Sequence, residues 1–152
     1  MSKDGDDMSE ENKFRTQKGY RLTDKCGTGL TEAMEDYLEM IYRLSAEVIR
    51  INNLAAHLHV TPSSASRMAE NLRRAGLINF ERYGFITLTD EGKSVGAFLL
   101  WRHETVSRLL TLINGKDMKL QEIEQIEHFI SPTTVHNIEV FITDIEKGRS
   151  TL

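Results

Sequence analysis

The chain has 152 residues, 19 Lys and Arg against 23 Asp and Glu, a formal net charge of −4, and 28% charged and 39% hydrophobic residues. That is enough chain for one ordinary domain or two very small ones, and no apolar run approaches the roughly 20 residues needed to span a membrane. The acidic, polar N-terminus has no apolar core of a signal peptide, and a lone cysteine, Cys26, can make neither an internal disulfide nor a thiolate cluster, so a cytoplasmic protein is expected.

An acidic average argues against nucleic acid, but charge acts locally. Residues 1–49 carry 7 basic and 11 acidic side chains, residues 50–102 carry 7 and 4, and residues 103–152 carry 5 and 8. Only the middle third is basic.

Residues 1–30 are poor in large apolar side chains and read as a disordered extension. Thr31 is a suitable N-cap for a helix with Met34, Tyr37, Leu38, Ile41 and Leu44 on one face. A short helix over 51–58 follows, with Leu54, Ala55 and Leu58 inward. After the turn His59-Val60, Thr61 and Pro62 open a third helix, because proline at the first helical position forgoes only an N–H that has no partner. It ends at Gly76 and turns Ala65, Met68, Ala69 and Leu72 inward.

Residues 77–81 and 85–89 flank Arg82-Tyr83-Gly84 as a β-hairpin. Thr89-Asp90-Glu91 starts a long helix striped with Val95, Phe98, Leu99, Val106, Leu109 and Leu110 and closed by Asn114-Gly115. Two further helices are predicted, over 118–130 and from Ser131-Pro132 onward, the last lined by Ile138, Phe141, Ile142 and Ile145.

Short helix, tight turn, capped helix and hairpin form the order of a winged helix-turn-helix, whose recognition helix enters the major groove by its N-terminal part. Thr61, Ser63, Ser64, Ser66 and Arg67 lie there, with Asn71 and Arg73 further along and Arg82 at the wing tip. Hydroxyls and helix N-terminal amides suit phosphate, and arginine reaches guanine edges or phosphate. Singly these residues are an ordinary solvated face; in this order, within the basic third, they point to double-stranded DNA.

Asp36 and Glu39 fall opposite the apolar face of the first helix and by position alone read as solvated carboxylates. Glu124, Glu127 and His128 share one helix face, and the wheel places Glu127 between Leu120 and Ile123, inside the apolar arc. A carboxylate there needs a partner, a proton or a metal. His103 borders Leu99, Val106 and Leu110 and singly reads as a core-edge histidine; His57, His59 and His136 have no comparable company.

The segments MEDYLEMIY (34–42), VTPSSASRM (60–68), LTDEGK (88–93), WRHE (101–104) and EIEQIEHFIS (122–131) together resemble the manganese-responsive, MntR-like branch of the diphtheria-toxin-repressor family. The resemblance covers about residues 31–145. It implies a mainly α fold, with a winged helix-turn-helix DNA-binding domain over 31–93 and an all-helical metal-binding and dimerisation domain over 94–152. It implies two Mn²⁺ per chain, held by Asp36, Glu39, His103, Glu124, Glu127 and His128. Iron-sensing members have methionine at the place of Asp36 and cysteine at that of Glu124.

The expected protein is therefore a homodimeric, metal-gated repressor of manganese uptake genes. Its partner is a palindromic operator, with no membrane and no small-molecule substrate. Two alternatives stand beside it: a winged-helix regulator that senses no metal, and a di-metal hydrolase or oxidase. The second lacks the repeated Glu-x-x-His of di-iron helical bundles.

Overall fold

A computed structural model describes residues 28–81 and 83–150. The disordered segment expected over 1–30 lies outside the described residues except for 28–30, as do Cys26 and Arg82.

Among the described residues six helices and one hairpin follow in order: α1 (Glu32–Arg43), α2 (Ile51–Leu58), α3 (Pro62–Arg74), β1 (Ile78–Phe80), β2 (Ile86–Leu88), α4 (Asp90–Asn114), α5 (Leu120–Glu127) and α6 (Pro132–Ser150). Three threonines start three helices in the same way. The hydroxyls of Thr31, Thr61 and Thr89 accept from the backbone N–H of Met34, Ser64 and Gly92 respectively. Each satisfies one of the donors that a helix start leaves without a partner.

The core of the N-terminal half joins Tyr37, Leu38 and Ile41 of α1, Leu54 and Ala55 of α2, and Ala65, Ala69 and Leu72 of α3. Ile49 of the α1–α2 link, Leu77, Ile78 and Ile86 of the hairpin and Leu99 of α4 complete it. The alanines on α3 let that helix sit close against its neighbours. Strands β1 and β2 pair antiparallel with Ile78 opposite Leu88 and Phe80 opposite Ile86, and Ile86 also donates to the Ile49 carbonyl, tying the wing to the α1–α2 link. In the turn it is Tyr83, not Gly84, that takes the left-handed conformation, at φ 65°.

Helix α4 is fixed to the end of α3 and the start of the wing at close quarters. Thr89 donates its hydroxyl to the Gly76 carbonyl, and Gly92 is buried with the place of its missing β-carbon overlapping the Leu77 carbonyl oxygen. Four residues on, a β-carbon at Gly96 would stand 2.7 Å from the Tyr42 ring of α1. Gly92→Ala must displace backbone rather than a side-chain tip. It should cost on the order of 3 kcal/mol, as overpacking of a filled core does, read as a lowered midpoint in urea unfolding. An unchanged midpoint would mean that this contact is slack.

Helix α5 is shorter than the predicted 118–130 span, because Phe129 and Ile130 bond to carbonyls only three residues back and Ser131-Pro132 then opens α6. Leu120, expected in the apolar arc, is 63% exposed at the first turn, whereas Ile123 and Glu127 are buried. Along α6, Ile142 is buried but Val140 and Phe141 are exposed. Helix α4 runs unbroken across residues 93–94, where the sequence divides the chain.

Candidate metal centre

Six side chains from three helices and one helix end meet beside the N-terminal core. Asp36 and Glu39 come from α1, His103 from α4, Glu124 and Glu127 from α5, and His128 from its C-cap. They form two groups that share Glu124: Glu39, His103, Glu124 and Glu127, and Asp36, Glu124 and His128. Within each group one donor atom per residue lies within 4.8 Å of the others.

The first group converges on one nitrogen. His103 Nδ1 stands 2.8 Å from Glu127 Oε2, 3.2 Å from Glu124 Oε1 and 3.9 Å from Glu39 Oε1. Hydrogen bonds to Glu124 and Glu127 push the imidazole up to about 10, against the opposing effect of burial. Burial pushes Glu39 above the usual carboxylate range and Glu127 adds to it, although Arg43 and His103 pull the other way. Arg43 reaches Glu39 Oε1 through Nη2 at 2.7 Å and Nε at 3.1 Å. The hydrogen bond from His103 holds Glu124 below its ordinary value despite burial.

The second group turns on His128. Its Nε2 lies 2.9 Å from Asp36 Oδ1, and its Nδ1 donates to Glu35 Oε2 at 2.7 Å. Burial would lower the imidazole, but hydrogen bonds to Asp36 and Glu35 outweigh it and raise it to about 10.

These residues fit a divalent cation. Three carboxylates face one imidazole nitrogen, and Glu127, with no exposed surface, has an Oε1 that finds no hydrogen-bond partner among the described residues. Leaving such an oxygen bare in the interior is costly, and a cation bridging it would satisfy it. Four carboxylates and two imidazoles form an oxygen-rich, thiolate-free set that suits harder cations. A cavity of about 840 Å³, lined by Asp36, Glu39, Arg43, His57, His59 and Glu124 among others, opens beside the cluster.

All six residues singled out in the sequence are thus brought together. The helical wheel misplaced one of them, since Glu39 is buried rather than solvated. The apolar stripe of α1 faces the N-terminal core, while α4 and α5 cover a second side of that helix, which a wheel for α1 alone does not contain. The sequence reading also missed Glu35 and Arg102, both buried and paired at 2.6 Å across α1 and α4. Position 102 lies three residues after Leu99 and four before Val106, inside the α4 stripe, and that was the available signal.

The DNA-facing candidates are placed less uniformly. Ser63, Arg67, Asn71 and Arg73 are exposed on α3, and Ser66 is half-buried. Thr61 and Ser64 are engaged with each other, Thr61 Oγ1 donating to Ser64 Oγ at 2.9 Å while capping the helix. Arg73 is held by Glu70 through two bonds of 2.9 and 2.6 Å, and Arg74 by the same carboxylate at 3.2 Å. The hydrogen bond from Arg73 draws Glu70 down to about 2.

A winged helix-turn-helix joined by a long helix to a carboxylate–imidazole cluster defines a metal-responsive DNA-binding regulator. Residues 29–85 match the iron dependent repressor N-terminal DNA binding domain, and residues 89–148 match the iron dependent repressor metal binding and dimerisation domain. The chain belongs to the iron-dependent repressor family, as an MntR-like member.

The HTH-type transcriptional regulator MntR of Bacillus velezensis is 33% identical over 123 residues, 79% of this chain and 87% of that relative. MntR of Bacillus subtilis is 35% identical over 111 residues, 71% and 78% of the two chains. Among solved structures, the manganese regulator SloR superposes with a TM-score of 0.65 at 25% identity over 75% of this chain. A manganese-dependent transcriptional repressor in complex with manganese gives 0.66 at 26% identity over 72%. The chain spans about half the length of these two, 55% and 52%. It is a metal-dependent transcriptional repressor of this family and not an enzyme. No helix of the described residues is long and apolar enough to cross a membrane.

Proposed function

We propose that this repressor senses Mn²⁺, binds two ions per chain through Asp36, Glu39, His103, Glu124, Glu127 and His128, and represses manganese uptake genes from a palindromic operator. The observation that carries this reading is the convergence of those six side chains in two groups sharing Glu124. Four of them are carboxylates, among them Asp36 and Glu124, the two positions where an iron sensor of this family has softer ligands.

The division into residues 31–93 and 94–152 then has a mechanical meaning. Asp36 and Glu39 belong to the DNA-reading part, and the other four to the helical part. Bound cations supply positive charge that lets the four carboxylates stay close. His103 and Glu127 hold α4 to α5, Glu124 links the two groups, and Asp36 and Glu39 bring α1, with α3 packed behind it, to a fixed position. A ligand shifts such an equilibrium only by its differential affinity for the two arrangements, and here the ligand set is complete only when both parts are docked.

Two recognition helices at a fixed distance require a second copy of the chain. Ile113, Leu120, Val140 and Phe141, all exposed and all in the C-terminal half, offer the apolar surface for a homodimer. On DNA, Ser63, Arg67 and Asn71 face the groove, Thr61, Ser64 and Ser66 support the helix start, and Arg73 meets phosphate by exchanging its Glu70 partner. The wing residue Arg82 is assigned to the backbone or minor groove.

Titration of an operator selected from random duplex DNA, against Mn²⁺, Fe²⁺, Zn²⁺ and Co²⁺ with metal content measured on the same samples, tests this function. Binding independent of metal, or gated by another metal alone, overturns it. Arg67→Ala should weaken the Mn²⁺-loaded complex by about 1–3 kcal/mol and relax preference at one base pair per half-site. A uniform loss across sequences would assign Arg67 to phosphate instead.

A further inference from the structure

Behind the six-residue cluster lies a second, drier layer. Glu35 is 4% exposed and Arg102 has no exposed surface. Glu35 Oε2 accepts from Arg102 Nη2 at 2.6 Å and from His128 Nδ1 at 2.7 Å, while Glu35 Oε1 accepts from Thr28 at 2.6 Å. One carboxylate on α1 thus joins the segment before α1, helix α4 and the end of α5.

We infer that Glu35, held in place by Arg102, is a positioning residue that sets the ring orientation and tautomer of His128. Both ring nitrogens face a carboxylate, Nδ1 at Glu35 and Nε2 at Asp36; because Glu35 can only accept, the proton on Nδ1 stays, and the proton on Nε2 is the one that a cation beside Asp36 would displace. Carboxylates behind metal-bound imidazoles act in this way in general: they fix the ring and raise its basicity.

The burial of Arg102 points the same way. Two of its nitrogens, Nε and Nη1, find no hydrogen-bond partner among the described residues, although the guanidinium also lies 5.7 Å from the centre of the Phe98 ring. A buried ion pair with donors left over is a poor stabiliser compared with apolar side chains of similar volume. Its retention is accounted for by what the carboxylate does for His128. Glu35 sits beside Asp36 in sequence, so the same turn of α1 supplies one group that faces the cation and one that orients the imidazole opposite.

The inference rests on reading His128 as a metal ligand, and the experiment separates the two. Mn²⁺ affinity of the full chain is measured from the electron paramagnetic resonance signal of free Mn²⁺, alongside thermal stability, for wild type, Glu35→Gln, the double variant Glu35→Leu/Arg102→Met, and His128→Ala. The double variant removes both charges and should melt within a few degrees of wild type, yet Mn²⁺ affinity should fall about 10- to 100-fold. Glu35→Gln, which keeps an acceptor of the same shape, should recover part of that loss, a rescue that a purely structural role would not produce. If the double variant folds and binds Mn²⁺ as wild type does while His128→Ala loses affinity, the positioning role is wrong and the ligand reading stands. If neither loses affinity, both are wrong. If the double variant fails to fold, the folded Glu35→Gln decides: unchanged affinity there overturns the inference, and a loss of several-fold supports it.

Discussion

Replacing Glu127 with alanine should abolish the response of operator binding to Mn²⁺ while leaving the protein folded. Coupling between two sites in a switch of this kind is on the order of 5- to 150-fold in affinity, and the variant should lose all of it, binding operator as weakly with the metal as without. Glu127 is the one cluster carboxylate with no exposed surface, and its Oε1 has no hydrogen-bond partner among the described residues. Its Oε2 pairs with His103 Nδ1 at 2.8 Å, but Glu124 at 3.2 Å remains as a partner for that imidazole, so the alanine variant should stay folded. His103→Ala should have the same effect on DNA binding, because its Nδ1 is the point on which Glu39, Glu124 and Glu127 converge. The measurement is an operator titration at zero and saturating Mn²⁺. A variant that retains the full metal-dependent gain would remove Glu127 or His103 from the switch. Operator binding weaker than that of the wild type without metal, with a native melting curve, would place the residue in the DNA-reading machinery instead.

Arg102→Met should be the most destabilising of the single substitutions near the cluster. Breaking one side of a buried pair typically costs about 3–5 kcal/mol because the remaining charge stays in the interior without its partner. The lower end applies here, since Thr28 and His128 still donate to Glu35. Burial works to raise Glu35, and the hydrogen bonds from His128, Arg102 and Thr28 outweigh it to hold the carboxyl below its ordinary value. A loss of about 3 kcal/mol in a chain of this size lowers the melting temperature on the order of 10 °C. Scanning calorimetry on the metal-free protein would show it. A shift of only a degree or two would mean that water reaches Glu35 and that the pair is effectively at the surface.

The two expectations bear on different parts of one device. The Glu127 cluster joins α4 to α5 and faces Glu39, and the Glu35–Arg102 pair joins α1 to α4 without touching that cluster's centre. Arg43, which holds Glu39 at 2.7 Å, is the partner that a cation at Glu39 must compete with. The Arg43 side chain is 39% exposed and that of Glu39 only 6%, so the competition is with a pair open to solvent on the Arg43 side alone.

Local rules carried the helix starts and stops. Thr31, Thr61 and Thr89 cap as their type predicts, and Gly76 and Gly115 adopt positive φ at the two helix ends where the chain turns away. The inward faces of α1 and α3 were legible from three-to-four spacing, because one compact core covers them. The terminal helices were less so: Leu120 and Phe141 continue an apolar pattern but are exposed, because an apolar stripe in the sequence does not say whether a neighbour in the fold covers it.

The sequence by itself determined the order of the DNA-reading elements and put Glu124, Glu127 and His128 on one helix face; Asp36, Glu39 and His103 joined them only through the family resemblance, since by position alone they read as solvated or core-edge residues. It also located the positive charge in the middle third, so that the overall net charge of −4 says little about the reading head. Only the tertiary structure decided which of the carboxylates are dry. A wheel drawn for α1 places Glu39 opposite the core, yet α4 and α5 close over that side and bury it, and the same closure buries Glu35 against Arg102. The reason is that burial is a property of neighbours distant in sequence, whereas helical periodicity reports only on a single face. The charges that matter to this switch lie where two such faces meet.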